Sequence, residues 1–387
     1  MKTIKVLYVL HTVYMDGSSR SFLNMVLQLK KNYNIEPIVV YPRFVNNPMG
    51  FTTLLPALLE NNIKIERCFI GRASGTKGSK QPIYNTFLVR WILRQFSKKQ
   101  IKKIAKKYDV DIIHTNCSVI YEGYYASKEL KIPHVWHVRE YQDLDSNIDI
   151  YPSKEGFQKM LAKQYSIIIS KDIQKHFNLL NVPKSRVIYN PILSKSEVGD
   201  AVYPKEKFFL IANVITAKKR IEDAIEAFAS FLKLYPDYKL IVAGRNNPQY
   251  FEMILKLCDT LNIRDNVDFI GEISNPYDYM KRAKALLVSS AFEGFGRMTA
   301  EAIMLGCMVI GRNTGGSVEI LSLTNGGFLF DNVEDFANKM IRVADMSESE
   351  YRTIMDNAQE IALNNFTIEK HAESISMFYN EILNPKI

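Results

Sequence analysis

The sequence lacks any uninterrupted apolar stretch near the ~20 residues that a membrane-spanning helix needs, and its opening "MKTIKVLYVLHTVY" breaks too early and has no small-residue cleavage site. A cytoplasmic chain is therefore expected. Cysteine is scarce: Cys68, Cys117, Cys258 and Cys307 lie far apart, with no C-x-x-C pair, which argues against a disulfide framework and against a zinc site. No G-x-G-x-x-G follows the first strand-like run, which weakens a redox reading. "GRASGTKGSK" at 71–80 lacks the spacing of an ATP-binding loop and suits a loop over an acceptor site. The tripeptides "DVD" at 109–111 and "DLD" at 143–145 have the form of a metal-binding pair but lack a metal-site setting. Neither metal nor cofactor is expected, and no short repeat or low-complexity tract occurs.

What is present is an ordinary globular composition, 47% hydrophobic and 24% charged over 387 residues, a length that favours two or three domains. The net charge of +9 is concentrated in "RQFSKKQIKKIAKKYD", which holds six lysines. Leu88, Trp91, Ile92, Ile101, Ile104, Ala105 and Tyr108 fall roughly at helical spacing, with the lysines mostly elsewhere on the wheel. The Arg94–Lys107 segment is thus a candidate for peripheral contact with an anionic membrane, or a surface helix packed on a sheet. No aromatics interleave with the lysines as a stacking platform would require, so nucleic acid is not an expected partner.

Apolar strand-like runs alternate with helical patterns throughout. "IKVLYVL", "IEPIVVY", "KIERCFI", "VDIIHTN", "HVWHVRE", "SIIIS" and "RVIYN" form one series, and "KFFLIANV", "YKLIVAG", "NVDFIG", "KALLVSS", "CMVIGRN" and "GGFLF" a second. They are short and rich in β-branched residues, as central strands of parallel sheets are. An α/β fold of two doubly wound, Rossmann-like domains facing across a cleft follows. The expected boundaries are a first domain at 1–192, a linker at 193–206 where periodicity stops, a second domain at 207–366, and a last helix at 367–387 with the option of crossing back to the first domain.

In such sheets ligands bind beyond the carboxyl ends of strands. "EGFGRMTAEAIMLG" at 293–306 follows "KALLVSSAF", so its glycines turn the chain from a strand into a helix. Helical side chains lean toward the N-terminus, which points Glu301 back at the loop carrying Glu293. The backbone N–H groups of Phe295, Gly296 and Arg297 sit at the positive end of that helix, a place suited to phosphate. Two hydroxyl acceptors beside phosphate-binding amides describe a nucleotide sugar. A structural turn is the plainer alternative for the two glutamates alone. In "NVITAKKRIED", Lys218, Lys219 and Arg220 stand where a helix starts. Cations there oppose the helix dipole, and a diphosphate would compensate them.

Glu293, Gly294, Phe295, Gly296 and Glu301, followed by Gly315, Gly316 and Glu319, resemble in order the motifs of the family-4 glycosyltransferases of GT-B fold. The resemblance runs from about Phe208 to Phe330. It implies retaining transfer of a sugar from a nucleotide diphosphate sugar without a bound metal, with Glu293 at the sugar hydroxyls and Glu301 at the ribose. It implies further that Lys219 matches the diphosphate-binding lysine. Asn213 stands where the family usually has arginine, so Arg220 or Arg297 are the substitutes, and Gly271 completes the donor-binding candidates. In the first domain the resemblance aligns His137, at the end of "HVWHVRE", with the active-site histidine. Arg139 and Glu140 project beside it, and Gly17 and Ser18 fall in the first loop; these are acceptor-side candidates. Asn190 fits the family's hinge Asn-Gly pair, and Pro191 does not.

The expectation is a retaining hexosyltransferase moving sugar from a nucleotide diphosphate donor to a glycan or lipid-linked glycan in bacterial surface-polysaccharide synthesis. A nucleotide-sugar epimerase of the same fold and a non-catalytic sugar-nucleotide-binding subunit are the alternatives.

Overall fold

The computed structural model describes residues 3–44, 52–71, 87–145 and 148–385. The chain divides into two compact units: Met1–Pro191 together with Ile368–Ile387, and Ile192–Thr367. The loop expected at 71–80 lies, beyond Gly71, outside the described residues.

The first unit carries strands β1 (Ile4–Val9), β2 (Ile35–Pro42), β3 (Lys64–Cys68), β4 (Ile112–Thr115), β5 (His134–Val138), β6 (Tyr165–Ile168) and β7 (Ser185–Val187). They form one sheet in the order β3-β2-β1-β4-β5-β6-β7, with every pair parallel. The inner strands β2, β1, β4, β5 and β6 are paired on both edges and mostly buried, so they read as largely apolar runs, whereas β3 and β7 end the sheet and are partly exposed. The pleat sorts side chains by period two. Val6 and Tyr8 enter the core on one face, and Leu7 and Val9 that on the other.

The helix Ile368–Leu383 belongs to this unit although it follows the second one in sequence. Its buried stripe of Ala372, Ile375, Tyr379 and Ile382 joins Phe22, Met25 and Leu29 of the helix Gly17–Asn32 in a single cluster over β1. That stripe keeps helical spacing, three to four residues per step.

The second unit carries β8 (Phe208–Ala212), β9 (Lys239–Ala243), β10 (Val267–Gly271), β11 (Ala285–Val288), β12 (Val309–Arg312) and β13 (Gly327–Phe330). The order is β10-β9-β8-β11-β12-β13, again parallel throughout. In both sheets the order reverses direction once, between β1 and β4 and between β8 and β11. Such a switch point is where exit loops of neighbouring strands diverge to opposite faces and leave a crevice.

Residues 193–206, expected as a linker, are part of the second unit. They form a short helix, Lys195–Val198, with a capping box between Ser194 and Glu197. Lys205 Nζ then donates to the Lys281 carbonyl at 2.7 Å, and Glu206 pairs with Arg282 at 3.0 Å. Caps and ion pairs anchor this segment without the apolar periodicity that marks an element in a sequence.

Candidate functional site

In the second unit β8 and β11 are hydrogen-bonded neighbours at the switch point, so their exit loops meet. Ala291 N donates to the Lys218 carbonyl at 3.2 Å, and the Ser289 hydroxyl to the Lys219 carbonyl at 2.8 Å. Lys219 Nζ donates to Glu293 Oε1 at 2.7 Å. Both side chains are about a quarter exposed or less. Glu301 is buried and accepts from the Arg297 guanidinium at 3.0 Å, one turn earlier on the helix Arg297–Met304. Its side chain leans toward the N-terminus, as helical geometry requires.

Two of the charges at the start of the helix Ile221–Leu232 have partners within the protein: Glu293 answers Lys219, and Asp223 binds Arg220 through two bonds of 2.7 and 2.9 Å. Glu222 and Asp223 also fill the first turn, where carboxylates suit the helix dipole. Asp223 takes a second guanidinium from Arg312, whose Nε donates to the Ser289 carbonyl at 3.0 Å. Arg312 at the end of β12 was not singled out from the sequence; a strand-end arginine was its only signal. Asn213, at the position where an arginine is usual, accepts from Val214 N at 2.9 Å and shapes its own loop.

The two glycine motifs belong together physically. Gly316 N donates to the Glu293 carbonyl at 2.7 Å. A Cβ on Gly315 would stand 2.6 Å from the Glu293 oxygen, and one on Gly316 would stand 2.3 Å from that of Phe295. The Gly-Gly turn is therefore a seat on which the Glu293–Phe295 backbone lies directly. Gly296 has a φ of 86° and caps the helix with no side-chain hydrogen bond. The Phe295 ring is buried edge-on against Phe366 at 5.6 Å, so this residue offers a ligand only its backbone. Gly271 ends β10, where its carbonyl accepts from Gly244 N at 2.7 Å.

In the first unit His137, on β5, is fully buried. Arg139 donates to Asn116 at 3.2 and 3.0 Å and to Asn190 at 2.6 Å, and it lies 3.3 Å from His137 Nδ1. The structure adds His114 from β4, whose Nε2 is 3.2 Å from the same Nδ1, and His371 from the last helix, whose ring lies nearly parallel to that of His137. Burial first, and then the Arg139 charge, hold the pKa values of His137 and His114 well below the ordinary histidine range, so both are neutral at pH 7. Glu140 Oε1 accepts from Ser118 N at 2.8 Å, Ser118 Oγ at 2.5 Å and Cys117 Sγ at 3.1 Å. Burial pushes its carboxyl up, and the Ser118 and Cys117 bonds pull it partly back.

Gly17 and Ser18 open the helix Gly17–Asn32, but Asp16 already caps it. The Asp16 carboxylate accepts from Ser19 N and from Ser18 Oγ, both at 2.8 Å. An anion at those amides would meet that carboxylate, which favours a hydroxyl-bearing ligand instead.

The basic helix, Phe87–Tyr108, differs from its sequence pattern. Ile101, Ile104 and Ala105 are in the core, whereas Trp91, Ile92, Leu93 and Phe96 are about half exposed. Lys98 and Lys102 share Glu129, and Lys107 pairs with Glu66 at 2.7 Å. Lys99, Lys103 and Lys106 are exposed. Among the described residues no helix is long and apolar enough to cross a membrane.

Two doubly wound parallel sheets with this strand order define the GT-B fold, and solved structures agree. Over its full length the chain superposes on a glycosyltransferase from Rickettsia africae with a TM-score of 0.76 at 19% identity, covering all of both chains. Anabaena HepE in complex with UDP matches with a TM-score of 0.74 at 17% identity, over 97% of this chain and 99% of that one. At such identities the likeness establishes the fold. Residues 197–360 match the family described as glycosyl transferases group 1. Among relatives of known activity, the chain is 23% identical to the N-acetyl-alpha-D-glucosaminyl L-malate synthase of Bacillus anthracis, over 73% of this chain and 78% of that one. It is 28% identical to the alpha-monoglucosyldiacylglycerol synthase of Streptococcus pneumoniae, over 73% and 69%. Fold, family match and relatives together support a GT-B glycosyltransferase.

Proposed function

We infer that the protein is a retaining glycosyltransferase that moves a hexose-type sugar from a nucleotide diphosphate sugar to a glycan or lipid-linked glycan acceptor in polysaccharide synthesis. The observation that supports it best is the Lys219–Glu293 pair at the β8–β11 switch point, seated on the Gly315–Gly316 turn. A lysine in a partly exposed pair exchanges its carboxylate for a diphosphate at small cost, because such pairs contribute only about 0–1 kcal/mol. Glu293 is then released to sugar hydroxyls. Glu301, held by Arg297, takes the ribose. Arg139, Glu140, Gly17 and Ser18 serve the acceptor, and His137 contacts the reacting sugar.

No residue of the second-unit site is assigned as a nucleophile, so transfer proceeds on one face of the sugar. The bond from the anomeric carbon to phosphate oxygen breaks as the bond to the acceptor oxygen forms, and the acceptor's proton passes to the departing phosphate. Lys219 offsets the charge that develops there.

Calorimetry with UDP, GDP, ADP and their sugars is the test, and the UDP complex of Anabaena HepE places UDP-sugars first in the panel. One nucleotide should bind. Lys219→Ala and Glu301→Ala should each weaken it by about 10- to 100-fold, since a hydrogen bond to a charged group contributes about 1.5–3 kcal/mol. Absence of binding to every nucleotide would end this reading. A non-catalytic sugar-nucleotide-binding protein is favoured only by Asn213 and by the engagement of Arg220 with Asp223; it would bind and never turn over.

The exposed Trp91, Ile92, Leu93 and Phe96, next to Lys99, Lys103 and Lys106, support peripheral contact with an anionic bilayer. Each lysine near such a surface contributes about 1 kcal/mol. Changing all three to glutamate should lower partition onto phosphatidylglycerol vesicles at least ~100-fold in sedimentation. Unchanged partition would leave this helix a plain surface element.

A further inference from the structure

Groups from three separate stretches of the first unit meet around one cation. Arg94 lies in the first half of the helix Phe87–Tyr108, Tyr125 in the first turn of the helix Glu122–Leu130 that follows β4, and Tyr151 between β5 and the helix Lys154–Ala162. A helix that follows a strand of a parallel sheet starts at the carboxyl rim, where such sheets hold ligands. The guanidinium carbon of Arg94 stands 5.1 Å from the Tyr125 ring centroid and 4.9 Å from that of Tyr151, within cation–π range of both. Arg94 Nη1 also donates to the two phenol oxygens, at 3.5 and 3.3 Å. Behind them the buried Tyr121 stacks on Tyr125, packs edge-on to Tyr151 and donates its hydroxyl to the Tyr151 carbonyl at 2.5 Å. The core therefore fixes both rings, and the rings fix the guanidinium.

Lys98 and Lys102 on the same helix share Glu129, but Arg94 has no carboxylate in ion-pair contact among the described residues. The acid that acts on it from a distance, Glu122, spends its oxygens on the amides of Gly71 at 3.3 Å and Tyr121 at 3.0 Å. Arg94, Tyr125 and Tyr151 are all partly exposed. A long side chain loses entropy when it is held in place, and an arginine in a purely structural role regains it through an acid partner. Here that partner is missing, and the guanidinium keeps three hydrogens to give. A guanidinium has donors only, and each phenol oxygen that accepts from it has its own hydrogen to give elsewhere. A carboxylate takes the guanidinium fork in one plane. The terminal oxygens of a phosphate take the fork and reach the phenols as well. Trp91, one turn before Arg94 on the helix, is half exposed.

We propose that Arg94, Tyr125 and Tyr151 form a phosphate-binding site on the first unit, and that the sugar acceptor is a phosphate or diphosphate ester held there. The assignment to the acceptor rests on the glycosyl-transfer reading, whereas the site itself does not. The phosphate belongs either to a lipid, whose chain would lie along Trp91, or to a water-soluble ester. The group recognised is the same in both.

The test is proton–nitrogen spectroscopy of the full chain labelled with 15N-arginine, the Arg94 Nε–H resonance being identified by its loss in Arg94→Gln. Methyl phosphate should shift that resonance saturably, and acetate at equal ionic strength should bind at least about tenfold more weakly. Tyr125→Phe and Tyr151→Phe keep both rings against the guanidinium and remove only the hydroxyls; each should weaken methyl phosphate by about tenfold. Farnesyl phosphate below its micellar concentration, set against glycerol 3-phosphate, separates the two sources. Tighter binding of the prenyl ester, lost in Trp91→Ala, marks a lipid phosphate; binding no tighter than glycerol 3-phosphate marks a soluble ester. No shift with methyl phosphate, an equal response to acetate, or unchanged affinity in both phenylalanine variants would each overturn the site. In turnover with a phosphorylated acceptor, Arg94→Gln should raise KM by about tenfold or more and leave kcat within about threefold. Equal use of the same acceptor stripped of its phosphate would overturn the acceptor assignment. If no nucleotide binds in calorimetry, the transfer reading fails by itself, and the Arg94 resonance still decides the phosphate site.

Discussion

Replacing Gly316 by alanine should remove nucleotide-sugar binding, by ~100-fold or more, and lower the stability of the second unit by about 2–4 kcal/mol. The added Cβ would stand 2.3 Å from the Phe295 carbonyl oxygen, 2.5 Å from its carbon and 2.6 Å from Cα. All three are backbone, so no rotamer relieves the contact. The Glu293–Phe295 segment has to retreat by the order of 1 Å, a displacement that by itself costs large factors in a preorganised site. It also pulls the Glu293 carbonyl off Gly316 N and the Glu293 carboxylate off Lys219. Gly71, where a Cβ would meet nothing within 4 Å, is the control, and Gly71→Ala should leave thermal unfolding nearly unchanged. Binding by Gly316→Ala protein within about threefold of wild type would show that the loop is not seated as described.

Acid should unfold the first unit early. His114, His134, His137 and His371 are buried, and burial is the leading cause that lowers the pKa of each, to about 3 for His134 and His371. With the folded value depressed, the unfolded chain takes protons first as pH falls through about 6.5. Stability is therefore complete above that value and is lost below it, by about 1.4 kcal/mol per pH unit for each imidazole. Four together reach about 5–6 kcal/mol per unit, against a typical domain stability of about 5–15 kcal/mol. Glu122 and Glu140, whose carboxyls burial pushes up, act with the opposite sign and offset part of the loss. Denaturant midpoints measured between pH 8 and 4.5 should fall steeply once below about 6.5. A flat profile would mean that the histidines can take up protons within the fold.

Much of this was written locally in the chain. The run "KALLVSS" became β11 and "HVWHVRE" became β5, because strands of parallel sheets are apolar on both faces and announce themselves without their partners. The α/β class and the paired doubly wound sheets followed from that alternation alone. Glu293 lies, as the apolar run before it implied, in the loop after β11, and Glu301 in the helix that follows. Lys219 and His137 were singled out by the family resemblance; the structure puts the first in the turn after β8 and the second on β5.

What the sequence left open was pairing. Lys219 found Glu293 74 residues away, and Arg220 turned to Asp223 three residues on and not outward. His137 acquired its character from residues 114, 139 and 371, and His114 from Tyr379, 265 residues away in the chain. The basic helix showed its apolar stripe in sequence, yet Ile101, Ile104, Ala105 and Tyr108 meet the core while Trp91 and Ile92 are about half exposed. The physical reason is one of range. Periodicity, capping and turn chemistry are set by dihedral angles and neighbours within a few residues, so the sequence alone determined which segments are strands and which are the loops between them. Hydrogen bonds and ion pairs between distant residues are set by distances of about 3 Å that only strand order and helix docking create, so the partners of Lys219, His114 and His137 were decided by the tertiary structure.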